Sequence, residues 1–174
     1  MTALGAATAS STDEIAEGLE KFAAVSNTVG LSYEYATSAL ATVTATTRQS
    51  ADVVGTAFKT LFARIQDLEL GKTLDDGTTL GKYSQALDAV GVSIKDADGG
   101  LRAMDDILDD LGEKWNSFDA EGNPLISKDA KVALAQTVAG VRQYTQLIAL
   151  MDKWDFMKEN LETARNATGT LTEQ

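Results

Sequence analysis

The sequence predicts an all-α fold, and three observations carry that prediction. Apolar residues recur at intervals of three and four in segment after segment, and no stretch alternates apolar and polar residues over a strand's length. The one proline, Pro124, leaves the rest of the chain free of the residue that breaks helices. Ser or Thr before an apolar-periodic segment and Gly after it recur as start and stop signals. The expected architecture is a compact bundle of about six to seven helices with no sheet.

Taken in order, residues 1–10 are small and polar and read as a flexible lead-in. Ser11 and Glu14 have the spacing of a capping box, and Ile15, Leu19, Phe22 and Val25 follow at helical spacing up to a stop at Gly30. Ser32 caps a second helix with Ala36, Leu40 and Val43 on one face. The tail of this helix, Thr42–Thr47, has poor intrinsic propensity, so packing must hold it. Ser50 opens a third helix whose stripe is Val54, Phe58, Leu61, Ile65 and Leu68, with Lys59, Arg64, Asp67 and Glu69 at other positions and a stop at Gly71. Residues 71–79 contain Asp75-Asp76-Gly77 and read as a loop, the best candidate boundary between an N-terminal lobe of three helices (11–70) and a C-terminal lobe (80–170), with one continuous domain as the alternative. In the second half, Leu80 to Val90 forms a short helix stopped by Gly91. Leu101, Met104, Leu108, Leu111 and Trp115 form another stripe, and 118–126 is a turn-rich loop. Ser127 then caps a long helix carrying Ala139, Gln143, Leu147 and Leu150, and a break near Asp152 precedes a last helix ending at Gly169. The echo between Val29-Gly30-Leu31-Ser32 and Val90-Gly91-Val92-Ser93 reads as a Gly stop followed by a Ser start in both places.

Composition narrows the function classes. With 174 residues, 44% hydrophobic and 24% charged, the chain has the means to bury a core. Aromatic content of 6% means that this core relies on close helix approach through small side chains. The absence of Cys and His removes disulfides, thiolate nucleophiles, imidazole bases and the commonest zinc ligands. A net charge of −11, from 15 basic and 26 acidic residues, disfavours nucleic acid and anionic lipid, both of which are bound by clustered cations. No two Lys or Arg residues are adjacent. No apolar run approaches the roughly 20 residues of a membrane span, and the N-terminus lacks the basic region of a signal peptide, so a soluble chain is expected.

The polar clusters read as structure rather than chemistry. Asp105, Asp106, Asp109 and Asp110 lie opposite the apolar stripe of their helix and are expected on a solvated face. Asp96-Ala97-Asp98-Gly99-Gly100 resembles the start of a calcium loop. However, Gly100 and Ile107 occupy the places of the third and last ligands, so it reads as a turn capping the next helix. Asp119-Ala120-Glu121-Gly122-Asn123 offers adventitious calcium at best. Gly140 inside a helix costs about 1 kcal/mol relative to Ala, which implies close passage of another helix there. Arg142 is expected to satisfy a helix end or a nearby carboxylate. Trp115 and Trp154 fall at core positions; Phe58 and Phe62 also fit a core, with an exposed self-association patch as the alternative. No catalytic, metal-binding or cofactor-binding residue is expected, and the chain is expected not to be an enzyme.

Several stretches together carry a resemblance. They are 49–59 (Gln49-Ser50-Ala51-Asp52 through Ala57-Phe58-Lys59), Gly91 to Trp115, Ala139-Gly140-Val141-Arg142-Gln143, 149–154 and 164–170. In this order the chain resembles the core region of siphophage and prophage tail tape measure proteins, over most of residues 12–170. The resemblance implies a fragment of a longer structural protein of the virion tail that lies in the tube lumen and contributes to tail length determination and tail assembly. It implies location in the host cytoplasm during assembly, and other tail proteins (tube, baseplate or tip, assembly chaperones) as partners, with self-association within the full-length protein. An alternative role is a helical docking domain for a tail chaperone, baseplate or host-envelope component; a cell-wall hydrolase is a remote third. A ruler needs axial length, about 1.5 Å per residue in a helix. The Gly or turn breaks at 30, 71, 77, 91, 99–100, 112 and 122 instead predict that this segment folds back on itself.

Overall fold

The computed structural model describes residues 12–173, and helices account for most of them. The expected lead-in over 1–10 and the Ser11 cap lie outside the described residues. Eight helices follow one another: α1 (Thr12–Thr28), α2 (Tyr33–Thr47), α3 (Ala51–Glu69), α4 (Leu80–Asp88), α5 (Met104–Trp115), α6 (Lys128–Ala139), α7 (Tyr144–Asp152) and α8 (Trp154–Glu173). Two isolated antiparallel bridges, Lys95 with Leu101 and Phe118 with Pro124, are the extended pairings among the described residues. The all-α class is therefore observed, with more helices than expected.

Local chemistry explains the boundaries. Ser32, Ser50, Thr79 and Ser127 each accept a hydrogen bond from the backbone N–H three residues on, at 3.2 Å. A cap of this kind contributes about 1 kcal/mol. α5 begins differently, since Ala103 has no capping side chain. Its first N–H groups, from Met104 and Asp105, donate to the carbonyls of Val29 and Gly30 at 2.9 and 3.4 Å. The α1–α2 link is thus itself the cap of α5. It can come this close because Gly30 sits at φ +83, where an added Cβ would stand 2.9 Å from that of Ala103.

The core is built around α2 and α3. α2 is buried at every residue from Tyr35 to Thr44, which is how tertiary packing overrides its poor propensity. Its buried hydroxyls donate hydrogen bonds to the helix's own carbonyls: Thr37 to that of Tyr33, Ser38 to that of Glu34 and Thr42 to that of Ser38, at 2.7–2.8 Å. α3 buries its whole predicted stripe, from Val54 to Leu68. α1 and α3 touch through glycine. A Cβ on Gly18 would lie 2.5 Å from the Ala51 carbonyl oxygen, and one on Gly55 would overlap the Gly18 carbonyl. Beside this crossing, Phe22 packs on Phe58 and Phe62 with ring centroids 5.4 and 6.2 Å apart. Phe58 and Phe62 are therefore core, at 0% and 1% exposure, and the self-association patch is excluded for them.

α8 and α7 pack onto α2, and α7 also meets α5 and α6. Asn160 donates to Thr42 Oγ1 at 2.9 Å. Trp115 Nε1 donates to Asp152 at 2.8 Å, and Asn116 to the Met151 carbonyl at 2.9 Å, joining the C-terminal ends of α5 and α7. Both tryptophans are core, as expected.

Several expectations need correction. The long helix over 127–150 is two helices: Gly140 is not inside it but is the residue after α6, at φ 86 and ψ 162, a region open essentially only to glycine. Gly112, expected to break the chain, lies within α5, where the missing side chain leaves room for the Trp154 ring. Leu101 belongs to a loop and is exposed, not part of the α5 stripe. Ser93 starts no helix; its hydroxyl donates to the Lys95 carbonyl. The last helix does not end at Gly169 but continues to Glu173.

Candidate functional site

The acidic residues of α5 do not share one environment. Asp106 is exposed, but Asp105 and Asp109 are half-buried against α2, because the α1–α2 link caps α5 and draws its first turn inward. Asp105 accepts from the Ser32 N–H at 3.3 Å, and Asp109 accepts from the fully buried Tyr35 hydroxyl at 3.1 Å. Asp110 turns the other way and pairs with Arg102 at 2.8 Å. The expectation of a solvated face fails for Asp105 and Asp109. Burial raises the pKa of both carboxyls above the usual range, against the lowering effect of the bonds from Ser32 and Tyr35. The Tyr35 phenol is pushed well above its ordinary value, first by burial and then by Asp109. This cluster clasps α2 to α5.

The two acidic Gly-rich loops share one geometry. Asp96 N–H donates to the Gly100 carbonyl and Asp119 N–H to Asn123, both at 2.8 Å. In each loop the Asp side chain accepts from the N–H groups two and four residues on, at 2.9–3.0 Å. Gly99 and Gly122 supply the left-handed residue, at φ +85 and +86. One loop precedes α5 and the other follows it. Asp96 and Asp119 are each engaged in holding their own turn, and among the described residues no three acidic side chains gather in a metal-holding arrangement. The first loop does not cap α5, contrary to expectation; that role falls to the α1–α2 link.

One surface concavity is an open groove between α3, the loop 72–76 and the turn 139–143. Arg64 braces its wall. The guanidinium donates to the Thr78 hydroxyl and the Thr137 carbonyl, both at 3.0 Å, and pairs with Asp76 at 2.9 Å. Hydrogen bonds from Thr78, with Arg64 beside it, hold the Asp76 carboxyl below its usual range. Arg64, not Arg142, satisfies a helix-end carbonyl. Arg142 is exposed beside Val141, which is 69% exposed. Local pattern gave no signal for Arg64, because its partners lie 14 and 73 residues away.

A second, smaller concavity lies between α5 and α8, where Lys158 bridges to Glu113 at 3.1 Å and Asp109 faces the α8 residues Glu162 and Arg165. No described helix is long and apolar enough to cross a membrane.

Residues 1–141 match the profile of a protein family described as phage-related minor tail protein. No solved structure matches the chain.

Proposed function

Starting from the fact that the chain belongs to the phage-related minor tail protein family, which makes it a phage tail protein, we propose that it is a structural module of a tail tape measure protein. In this role it contributes to tail length determination and assembly from within the tube lumen. The observation that carries the reading is the architecture around the resembling stretches. Gly91–Trp115 forms a loop and a helix capped by the α1–α2 link, and 139–143 forms a turn after α6, whose last turn Arg64 ties to α3 through the Thr137 carbonyl. Both are devices for reversing the chain and fixing helices to one another. The half-buried acids hold helices together, and the loop carboxylates hold turns. These contacts support reading the module as a folded body on a longer ruler, with a structural rather than a catalytic role.

The test is an in-frame deletion of residues 12–173 from the parent gene, followed by electron microscopy of assembled tails. The proposal expects complete tails of altered length. A deleted stretch lying as a continuous helix would shorten them by about 240 Å, at about 1.5 Å per residue; a folded body shortens them by much less. Complete tails of unchanged length would overturn the proposal.

A further inference from the structure

The groove between α3 and the turn 139–143, 840 Å³ in volume, is used by none of the packing described above. We propose that it docks an acidic segment of a partner protein that also carries apolar side chains. The inference rests on the groove itself and is independent of the tape measure reading.

The floor is the outer stripe of α3. Thr56 and Thr60 donate their hydroxyls to the carbonyls of Asp52 and Thr56, one turn back, at 2.9 and 3.2 Å. Their polar atoms are engaged on the helix itself, and Ala63 extends the stripe. Val141 adds an exposed apolar side chain at the rim.

Charge selects the occupant. Two of the four cations lining the groove are neutralised in place, Arg64 by Asp76 and Lys72 by Asp67. Among the described residues, the exposed side chains of Lys59 and Arg142 make neither a hydrogen bond nor an ion pair, and of the acids lining the groove Asp75 is the one without a cation partner. On a chain of net charge −11 this is a local reversal of sign, and such a surface attracts carboxylates and repels cations. The backbone under these side chains is anchored: Gly140 ends α6 at φ 86 and ψ 162, and Arg64 ties the last turn of α6 to α3 through the Thr137 carbonyl.

The experiment uses fluorescence anisotropy with a short dye-labelled peptide of alternating Glu and Leu pairs, and a matched peptide with Lys in place of Glu. Only the acidic peptide is expected to bind. The double variant Lys59→Glu/Arg142→Glu should weaken it by at least about tenfold, about 1.4 kcal/mol. Val141→Asp should weaken it too, and Lys128→Glu, at an exposed cation outside the groove, should leave it unchanged. Both mutated cations lack partners, so unchanged melting temperatures check that folding is intact. Equal binding of the two peptides, no binding of the acidic one, or insensitivity to the double reversal would overturn the proposal. Sedimentation equilibrium decides one further case: if the wild type self-associates and Arg142→Glu abolishes it, the groove holds a second copy and the acidic-partner assignment fails.

Discussion

Asp105 and Asp109 show how far one side chain's environment departs from its place on a helical wheel. Opposite the apolar stripe they read as solvated, yet α2 lies across them and takes both as acceptors. Because burial raises their pKa in the folded state, that state holds their protons more tightly than the unfolded chain does. Their contribution to stability is therefore fully present below the unfolded carboxylate value of about 4 and is lost as pH rises through the raised folded value. Asp76 has the opposite sign: its lowered pKa contributes stability that is lost on acidification. Urea midpoints measured from pH 7 down to pH 4 should thus decline less, or rise more, in the wild type than in Asp105→Asn/Asp109→Asn, whose amide oxygens still accept from Ser32 and Tyr35. Parallel curves for the two proteins would contradict the assignment. Glycines give a second residue-scale test. Gly55→Ala forces a methyl into the Gly18 backbone, and Gly112→Ala forces one into the Trp154 ring. Each should cost about 1–3 kcal/mol in chemical denaturation, whereas Gly122→Ala meets no neighbouring atom and carries only the strain of its positive φ. The composition foretold such close approaches, but not their positions. Gly140 was the sequence's candidate, and the contacts lie instead at Gly18, Gly55 and Gly112, because which helices cross is decided by residues far apart in the chain.

α2 makes the clearest case among the elements. It is rich in Thr and short, and an isolated helix below about 12–15 residues is marginal even with good formers. A peptide of residues 33–47 should be essentially unstructured by circular dichroism in water, and a strongly helical spectrum would show that propensity, not packing, builds it. Most element starts were legible because Ser or Thr caps are local: Ser32, Ser50 and Ser127 stand where the sequence placed them. α5 was legible as a helix but its cap was not, since the groups that satisfy its first turn are carbonyls about seventy residues away. The same distance hides Arg64, which looks like an ordinary polar-face residue until Thr137 arrives beside it. The repeated loop geometry at Asp96 and Asp119 was present in the sequence as two Asp-Ala-acid-Gly strings. Both strings read as turns, and both are; what lay hidden was that one Asp side chain anchors each turn and that the first turn does not cap α5.

At the scale of the molecule, the hydrophobic cluster contains buried residues from every helix, Ile15 of α1 to Leu161 of α8, and it follows that the chain folds back repeatedly instead of running out as a rod. The all-α class was legible because 3–4 periodicity recurs throughout. The helix count was not, because a break at Gly140 leaves the apolar pattern on either side nearly in phase. The account's central claim is that a segment of a tail protein, where axial length would serve a ruler, is here a compact body. Small-angle X-ray scattering on the purified chain tests it most directly. A radius of gyration of about 16 Å is expected for a folded domain of this size; a value several times larger, toward the about 75 Å of one continuous helix at 1.5 Å per residue, would contradict it.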